Sequence, residues 1–397
     1  MRVPSFLQAF AALVLVSVSA TAHAAGISIS PLKFEYSIET GKETSGIVKV
    51  TNDTGKAITL YTSKEDFVAG DDSGTPSFVK PQNQGSDEYA LSNWISIEDK
   101  NLTLAQGETR EIRFKIKAPS NAEPGGHYGA IFFSPAPDKG QVAVVQRLGA
   151  LVLVDVPGEA NVSGNLSSFE VGSSSDSKFQ AKSEFQNFPI SFSARFKNDG
   201  NVHLKPTGKI ELVDETGEVL KSVGKESVVN PQGVFIGEKL VDYLPVNDGF
   251  GNVLPKSERR FESLWEGFGY PVVNDDGTKT VKFKTLSEYY ADKTAEKQRY
   301  LKFYESVHTR TVSRDITANL SLSYEGKDKI KKDFNDSETF SVTYEEQYVG
   351  VDYSVAVFGI LILSCLGYYL LIVAPRSKER LKAELLESMR KEEKEGK

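Results

Sequence analysis

The sequence is poor in the residues that staple, ligate or catalyse. Its one cysteine, Cys365, lies inside the longest apolar run, so no disulfide can form in the rest of the chain. Stability must therefore come from an apolar core. Only four histidines occur, and His127, His203 and His308 have no partner at metal-binding or triad spacing. No glycine-rich loop joins a strand to a helix, so nucleotide binding has no support. The pairs at Asp71-Asp72-Ser73 and Asp275-Asp276-Gly277 complete no oxygen-ligand loop and read as turns. A basic excess is also missing. The net charge of −7 speaks against nucleic acid, whose phosphates need a positive surface. These absences name no catalytic residue, metal or cofactor, and the expectation is a protein that is not an enzyme.

What is present first shows at the two ends. Arg2 precedes a mostly apolar stretch, Phe6 to Ala20, and Ala22-His23-Ala24 fits a small-residue cleavage pattern. Residues 1–25 therefore read as an export signal, with an uncleaved anchor as the alternative. Tyr353 to Ala374 carries no charged side chain, and its 22 residues extend about 33 Å as a helix, enough to cross a bilayer. The competing reading is a buried core helix. Arg376, Lys378, Arg380 and Lys382 follow the run, whereas Glu345, Glu346 and Asp352 precede it. The positive-inside tendency then puts the tail, 375–397, in the cytoplasm and makes the chain a single-pass type I membrane protein. A disulfide-free exported chain suits a bacterial setting.

About 325 residues lie between signal and span, enough for two domains. Apolar residues alternate at Leu32, Phe34, Tyr36 and Ile38, and again at Ile112, Phe114 and Ile116, the period of a half-buried strand. Ile27 and Ile29 have the opposite parity, and Pro31 between the two sets predicts a first strand that kinks or switches sheets. Leu148 to Val154 is almost unbroken apolar sequence, as in a strand covered on both faces. The second half repeats the pattern. Val48 and Val50 run into Asn52-Asp53-Thr54-Gly55, as Phe192, Ala194 and Phe196 run into Asn198-Asp199-Gly200. A later turn follows each, at Gly107 and at Lys256, 55 and 58 positions on. Two related sandwiches, or coincidence of spacing, explain this.

The fold expected is all-β: two tandem Ig-like β-sandwiches, 26–160 and 161–348, then a transmembrane helix at 353–374. Gly172 to Ser177 reads as a polar surface loop. Thr285 to Ser306 lacks glycine and proline and reads as a helical insertion capped by Thr285 or Ser287.

Three aromatic residues are the candidate ligand contacts: Tyr128, Phe132 and Trp94. The first two lie in Pro124-Gly125-Gly126-His127-Tyr128-Gly129-Ala130-Ile131-Phe132-Phe133, where glycines permit a tight turn and close approach of another chain segment or ligand. For all three the competing reading, and the one the pattern favours, is a core or turn position in the first sandwich.

The opening ISPLKFEYSIETGKETSGIVKVTNDT, the LAQGETREIRFKIKAP stretch and PGGHYGAIFF resemble the bacterial WxL-associated cell-surface family. That family's first module is described as a peptidoglycan-binding domain. The resemblance covers about 130 residues and extends to the order of signal, Ig-like domains, transmembrane helix and basic tail. It implies a surface module that binds cell-wall polymer or another surface protein. The opening is also similar, in fold only, to the first domain of pilus chaperones. The second half does not match the family's host-binding module. Two other functions stay open: a chaperone-like or structural subunit that pairs through a sheet edge, and an extracytoplasmic hydrolase.

Overall fold

The computed structural model describes residues 26–80, 89–135, 147–175, 178–230, 235–275, 277, 279–291, 302, 305–326 and 330–395. The export signal expected at 1–25 lies outside them.

Strands β1 (Ile27–Ser30), β2 (Lys33–Ser37), β3 (Glu43–Asn52), β4 (Ile58–Ala69), β5 (Pro76–Val79), β6 (Ile95–Ile97), β7 (Asn101–Leu104), β8 (Thr109–Lys117), β9 (Gly125–Pro135) and β10 (Leu148–Val156) form the first sandwich. One sheet runs β1-β3-β8-β6; the other runs β2-β10-β9-β4-β5, with β7 on β4. The chain switches sheets at Pro31. Before it, β1 pairs with β3; after it, β2 pairs in parallel with β10. Leu32 is exposed because it sits at that crossing, contrary to the alternation that put it inward. The core between the sheets holds Val48, Val50, Ile112, Phe114, Phe133, Val152 and Val154.

The second sandwich follows with β11 (Gly164–Ser175), β12 (Lys178–Ala181), β13 (Glu184–Phe185), β14 (Ile190–Asn198), β15 (Thr207–Asp214), β16 (Gly224–Val229), β17 (Phe235–Val241), β18 (Leu244–Val246), β19 (Glu258–Trp265), β20 (Phe268–Val273), β21 (Lys279–Lys284), β22 (Glu305–Glu325) and β23 (Lys331–Val351). Its sheets are β12-β11-β14-β19 and β13-β23-β22-β15-β18, with two-stranded ribbons β16-β17 and β20-β21 beside them. Its core is rich in aromatic residues, among them the buried Phe192, Phe196, Trp265 and Phe340. Gly172 to Ser175, read above as loop, is strand. It pairs with β12 at the sheet edge, which explains its polar character.

The repeat legible in the sequence is a repeat of structure. Asn52 and Asn198 are both fully buried at the ends of β3 and β14. The Asn52 amide nitrogen donates to the carbonyls of Lys56, Leu104 and Ala105; that of Asn198 donates to Val202 and Val253. Each backbone N–H reaches the turn ahead of the partner strand, Asn52 to Glu108 O and Asn198 to Ser257 O. In those turns Gly107 and Lys256 both take left-handed backbone, at φ 72° and 55°. A lysine there is disfavoured. Lys256→Gly is therefore expected to raise the unfolding free energy by roughly 0.5–1 kcal/mol, offset by the lost bond to Asp199 O. A urea melt of the variant reads the sign.

The insertion begins as a helix, α1 (286–291), and only that turn and a half is described. Thr285 is its cap: the Glu288 carboxylate accepts from Thr285 N at 2.7 Å, and Glu288 N donates to Thr285 Oγ1 at 3.2 Å, a reciprocal capping box. Tyr289 stacks on Phe268 at 3.8 Å, pinning the helix to the sandwich. Glu305 and Ser306, assigned to the insertion above, belong to β22, because they pair with Val351 and Gly350.

After Val351 the chain enters α2 (Tyr353–Tyr368), a π-helical turn (Tyr369–Val373) and α3 (Ala374–Glu395). Asp352 caps α2 by accepting from Ser354 N. Among the described residues this is the one helix long and apolar enough to cross a membrane. None of α2 is buried, so it is not a core helix.

Candidate functional site

The outer face of the six-stranded sheet of the first sandwich gathers aromatic side chains. Alternation along β4 turns Leu60 inward and Tyr61, Ser63, Glu65 and Phe67 outward. Cross-strand register then sets Ser63 opposite Phe132, Gly149 opposite Phe132, and Leu153 opposite Tyr128. Phe78 meets Phe132 edge-on at 4.8 Å and Phe67 at 6.2 Å. Phe132 has room for its ring because Gly149 lacks a side chain; a Cβ there would lie 2.6 Å from it.

The two ends of this face differ. At the far end the Arg147 guanidinium lies 4.0 Å above the Phe132 ring and bonds Glu65 Oε1 at 2.8 Å. Tyr61 beside it is 45% exposed. A cation held over an aromatic ring, with a carboxylate and a free phenol alongside, offers both stacking and hydrogen-bonding groups.

At the near end the second sandwich closes over the face. Leu254 packs on the cluster of Phe67, Tyr128 and Leu153, and a cavity of about 150 Å³ remains between the sandwiches. Polar links surround it. Arg195 Nη1 meets Asp72 Oδ2 at 2.6 Å, Gly126 N donates to Asn201 O at 2.8 Å, and Glu35 accepts from both Lys205 and Asn252. Burial pushes the Glu35 carboxyl up, but bonds from Lys205, Asn252 and Lys33 outweigh it and bring it to about 2, from an ordinary 4.5. A lowered folded-state value stabilises docking above the unfolded value, and that contribution disappears as pH falls from 4.5 toward 2. With solvent screening it is worth about 1–2 kcal/mol. Glu35→Gln should flatten the melting-temperature profile between pH 6 and pH 3; an unchanged slope would show that the clamp contributes nothing.

Of the three residues singled out in the sequence, Tyr128 and Phe132 share this face and Trp94 lies off it. Tyr128 and Phe132 are 2% and 3% exposed. The Tyr128 hydroxyl is 3.5 Å from His203 Nδ1, which lies 3.3 Å from Asp155 Oδ1; burial pushes that phenol well up. Trp94 is partly buried and packs against His127 at 4.3 Å between ring centres. It is held by a residue that composition and spacing did not flag. The buried Asp66 carboxylate accepts from Leu91 N, Ser92 N and Ser92 Oγ at 2.6–2.7 Å, fixing the 3₁₀ turn Ser92–Trp94. Glu65 and Arg147 were missed as well, since 82 positions separate them. Among the described residues no cluster of histidine, cysteine and carboxylate groups could hold a metal ion.

These features define a class: an all-β protein of two Ig-like sandwiches ahead of one apolar helix, with an aromatic face on the first sandwich. Residues 18–135 match the family described as WxL Interacting Protein, peptidoglycan binding domain, the family that the N-terminal segments resemble. No curated protein matches the chain. Solved structures similar to it include one from work titled "Chaperone-tip adhesin complex is vital for synergistic activation of CFA/I fimbriae biogenesis", at 15% identity over 66% of this chain and 99% of that one, TM-score 0.29. The YadV chaperone is similar at 10% identity, 79% and 99% coverage and TM-score 0.32. The Pseudomonas aeruginosa CupB2 chaperone is similar at 12%, 65% and 100%, with TM-score 0.28.

Proposed function

We propose that this is a non-catalytic, membrane-anchored cell-surface protein whose first sandwich binds the peptidoglycan-like polymer of the wall. The carrying observation is the match of residues 18–135 to a peptidoglycan binding domain. Units 26–160 and 161–348 stand outside the cell, and the basic tail lies in the cytoplasm. The ribbon of β22 and β23 runs seven residues past Tyr344 before Asp352, about 20 Å of strand, which holds the sandwiches off the bilayer. Contact with the polymer falls on the far end of the aromatic face. Tyr61 and Arg147 touch sugar and peptide groups, Phe132 and Phe78 support them, and buried Tyr128 sets the cleft end.

The test is co-sedimentation of the full-length protein, in nanodiscs, with purified peptidoglycan. Wild type should pellet saturably, and Arg147→Ala should weaken retention at least fivefold without changing the melting temperature by more than about 2 °C. Wild type that stays in the supernatant defeats the proposal.

The strand-pairing alternative has one observation in its favour. Glu305 to Asp315 of β22 pair only with β23 among the described residues, leaving the other edge open. Crosslinking in intact cells that captures one stoichiometric protein and no wall fragments would favour it.

A further inference from the structure

The second sandwich carries a groove that the first sandwich's role does not use. It is about 600 Å³ along the outer face of β15, β22 and β23. A second hollow of about 450 Å³ continues it toward His203 and Lys205, sharing Thr207, Phe250, Ser323 and Lys331. Register lays polar rows across the floor: Thr207, Ser323 and Asp333 in one, Lys209, Ser321 and Asn335 in the next.

Phe250 stands where the two hollows meet. It is 57% exposed although its backbone is left-handed, at φ 51°, and Asn247 three residues earlier has φ 58°. Non-glycine residues avoid this region, and a bulky aromatic residue there is an outlier of the kind that collects at ligand sites. The loop is rigidly held. Asn247 Nδ2 donates to Pro206 O and Gly251 O, Gly251 N donates to Asn247 Oδ1, and Ser227 N donates to Asp248 Oδ2. Phe250 N donates to Asn247 O at 3.0 Å, so the turn presents the exposed ring at the junction of the two hollows. Tyr243 forms part of the same wall.

We infer that this groove binds an uncharged glycan chain. Three lysines face four carboxylates along its two parts, so it has no basic field for a polyanion. Its lining mixes hydroxyl, amide and charged groups with the Phe250 and Tyr243 rings, the combination that a sugar's hydroxyls and C–H faces need. Open and continuous, it suits a chain rather than an enclosed small molecule. Sugar C–H faces stack on the Phe250 and Tyr243 rings, while Asp333, Asn335 and Thr207 bond the hydroxyls. The inference is independent of the wall-binding site on the first sandwich and would give the protein a second point of contact with polysaccharide.

Full-length protein in nanodiscs, titrated calorimetrically with chitohexaose, provides the test. Saturable binding is expected, and Phe250→Gly should weaken it at least tenfold. The same substitution removes the left-handed strain, so its melting temperature should stay level or rise by a few degrees, which separates lost contact from misfolding. Asp333→Ala should also weaken this binding, and the component that Phe250→Gly removes should persist in Arg147→Ala. The inference is overturned by absent binding in wild type, by wild-type affinity in Phe250→Gly, or by loss in Arg147→Ala alone. The last result would place the sugar on the first sandwich and leave the wall-binding proposal intact.

Discussion

Asn52→Ala is expected to lower the unfolding free energy by about 3–5 kcal/mol. The side chain has no solvent exposure, and its amide satisfies three carbonyls while its Oδ1 accepts from Thr54 N at 3.0 Å. Alanine removes these bonds and the one from Thr54 Oγ1, and it strands the buried carbonyl of Leu104. The corner joins the end of β3 to the turn before β8, so its loss frees both core strands together. Asn198→Ala should have a similar cost at the equivalent corner, where two carbonyls and Gly200 N depend on it. Urea melts of each variant would show it. A cost under 1 kcal/mol at both corners would mean that the repeat is incidental to stability.

Gly126→Ala should cost about 2–3 kcal/mol and loosen the junction between the sandwiches. A Cβ at that position would sit 1.9 Å from the Tyr128 hydroxyl and 2.6 Å from its ring carbon. Tyr128 cannot swing away freely, because Phe67, Tyr89 and His203 ring contacts surround it. The strain therefore passes to the link from Gly126 N to Asn201 O. Small-angle scattering should show a longer maximum dimension, and adding Tyr128→Phe should restore part of the stability by removing the nearest atom. No change in either measurement would contradict the close packing described.

Much of this architecture was legible because burial imposes period and parity. The opposite phases of Ile27-Ile29 and Phe34-Tyr36 around Pro31 marked the sheet switch, and the Asn52 and Asn198 corners marked the internal repeat. Local chemistry was legible in part: of the two caps open for the insertion, Thr285 and Ser287, Thr285 is the one that caps α1. The candidate sites were less so. Tyr128 and Phe132 were visible through the glycines beside them, but the Arg147–Glu65 pair and the Glu35 clamp join residues 82 and 170 or more positions apart. No local periodicity reports such pairs. Phe250 was hidden for a different reason: a lone aromatic residue in a polar loop looks the same whether its φ is negative or positive.

Hydrogen–deuterium exchange of the full-length protein, with and without soluble peptidoglycan glycan strands, addresses the wall-binding site most directly. Amide protection should appear in peptides spanning Ile58–Ala69 and Gly125–Pro135, and Arg147→Ala should erase it. If those strands exchange identically with and without the glycan, the aromatic face is not where the wall is held.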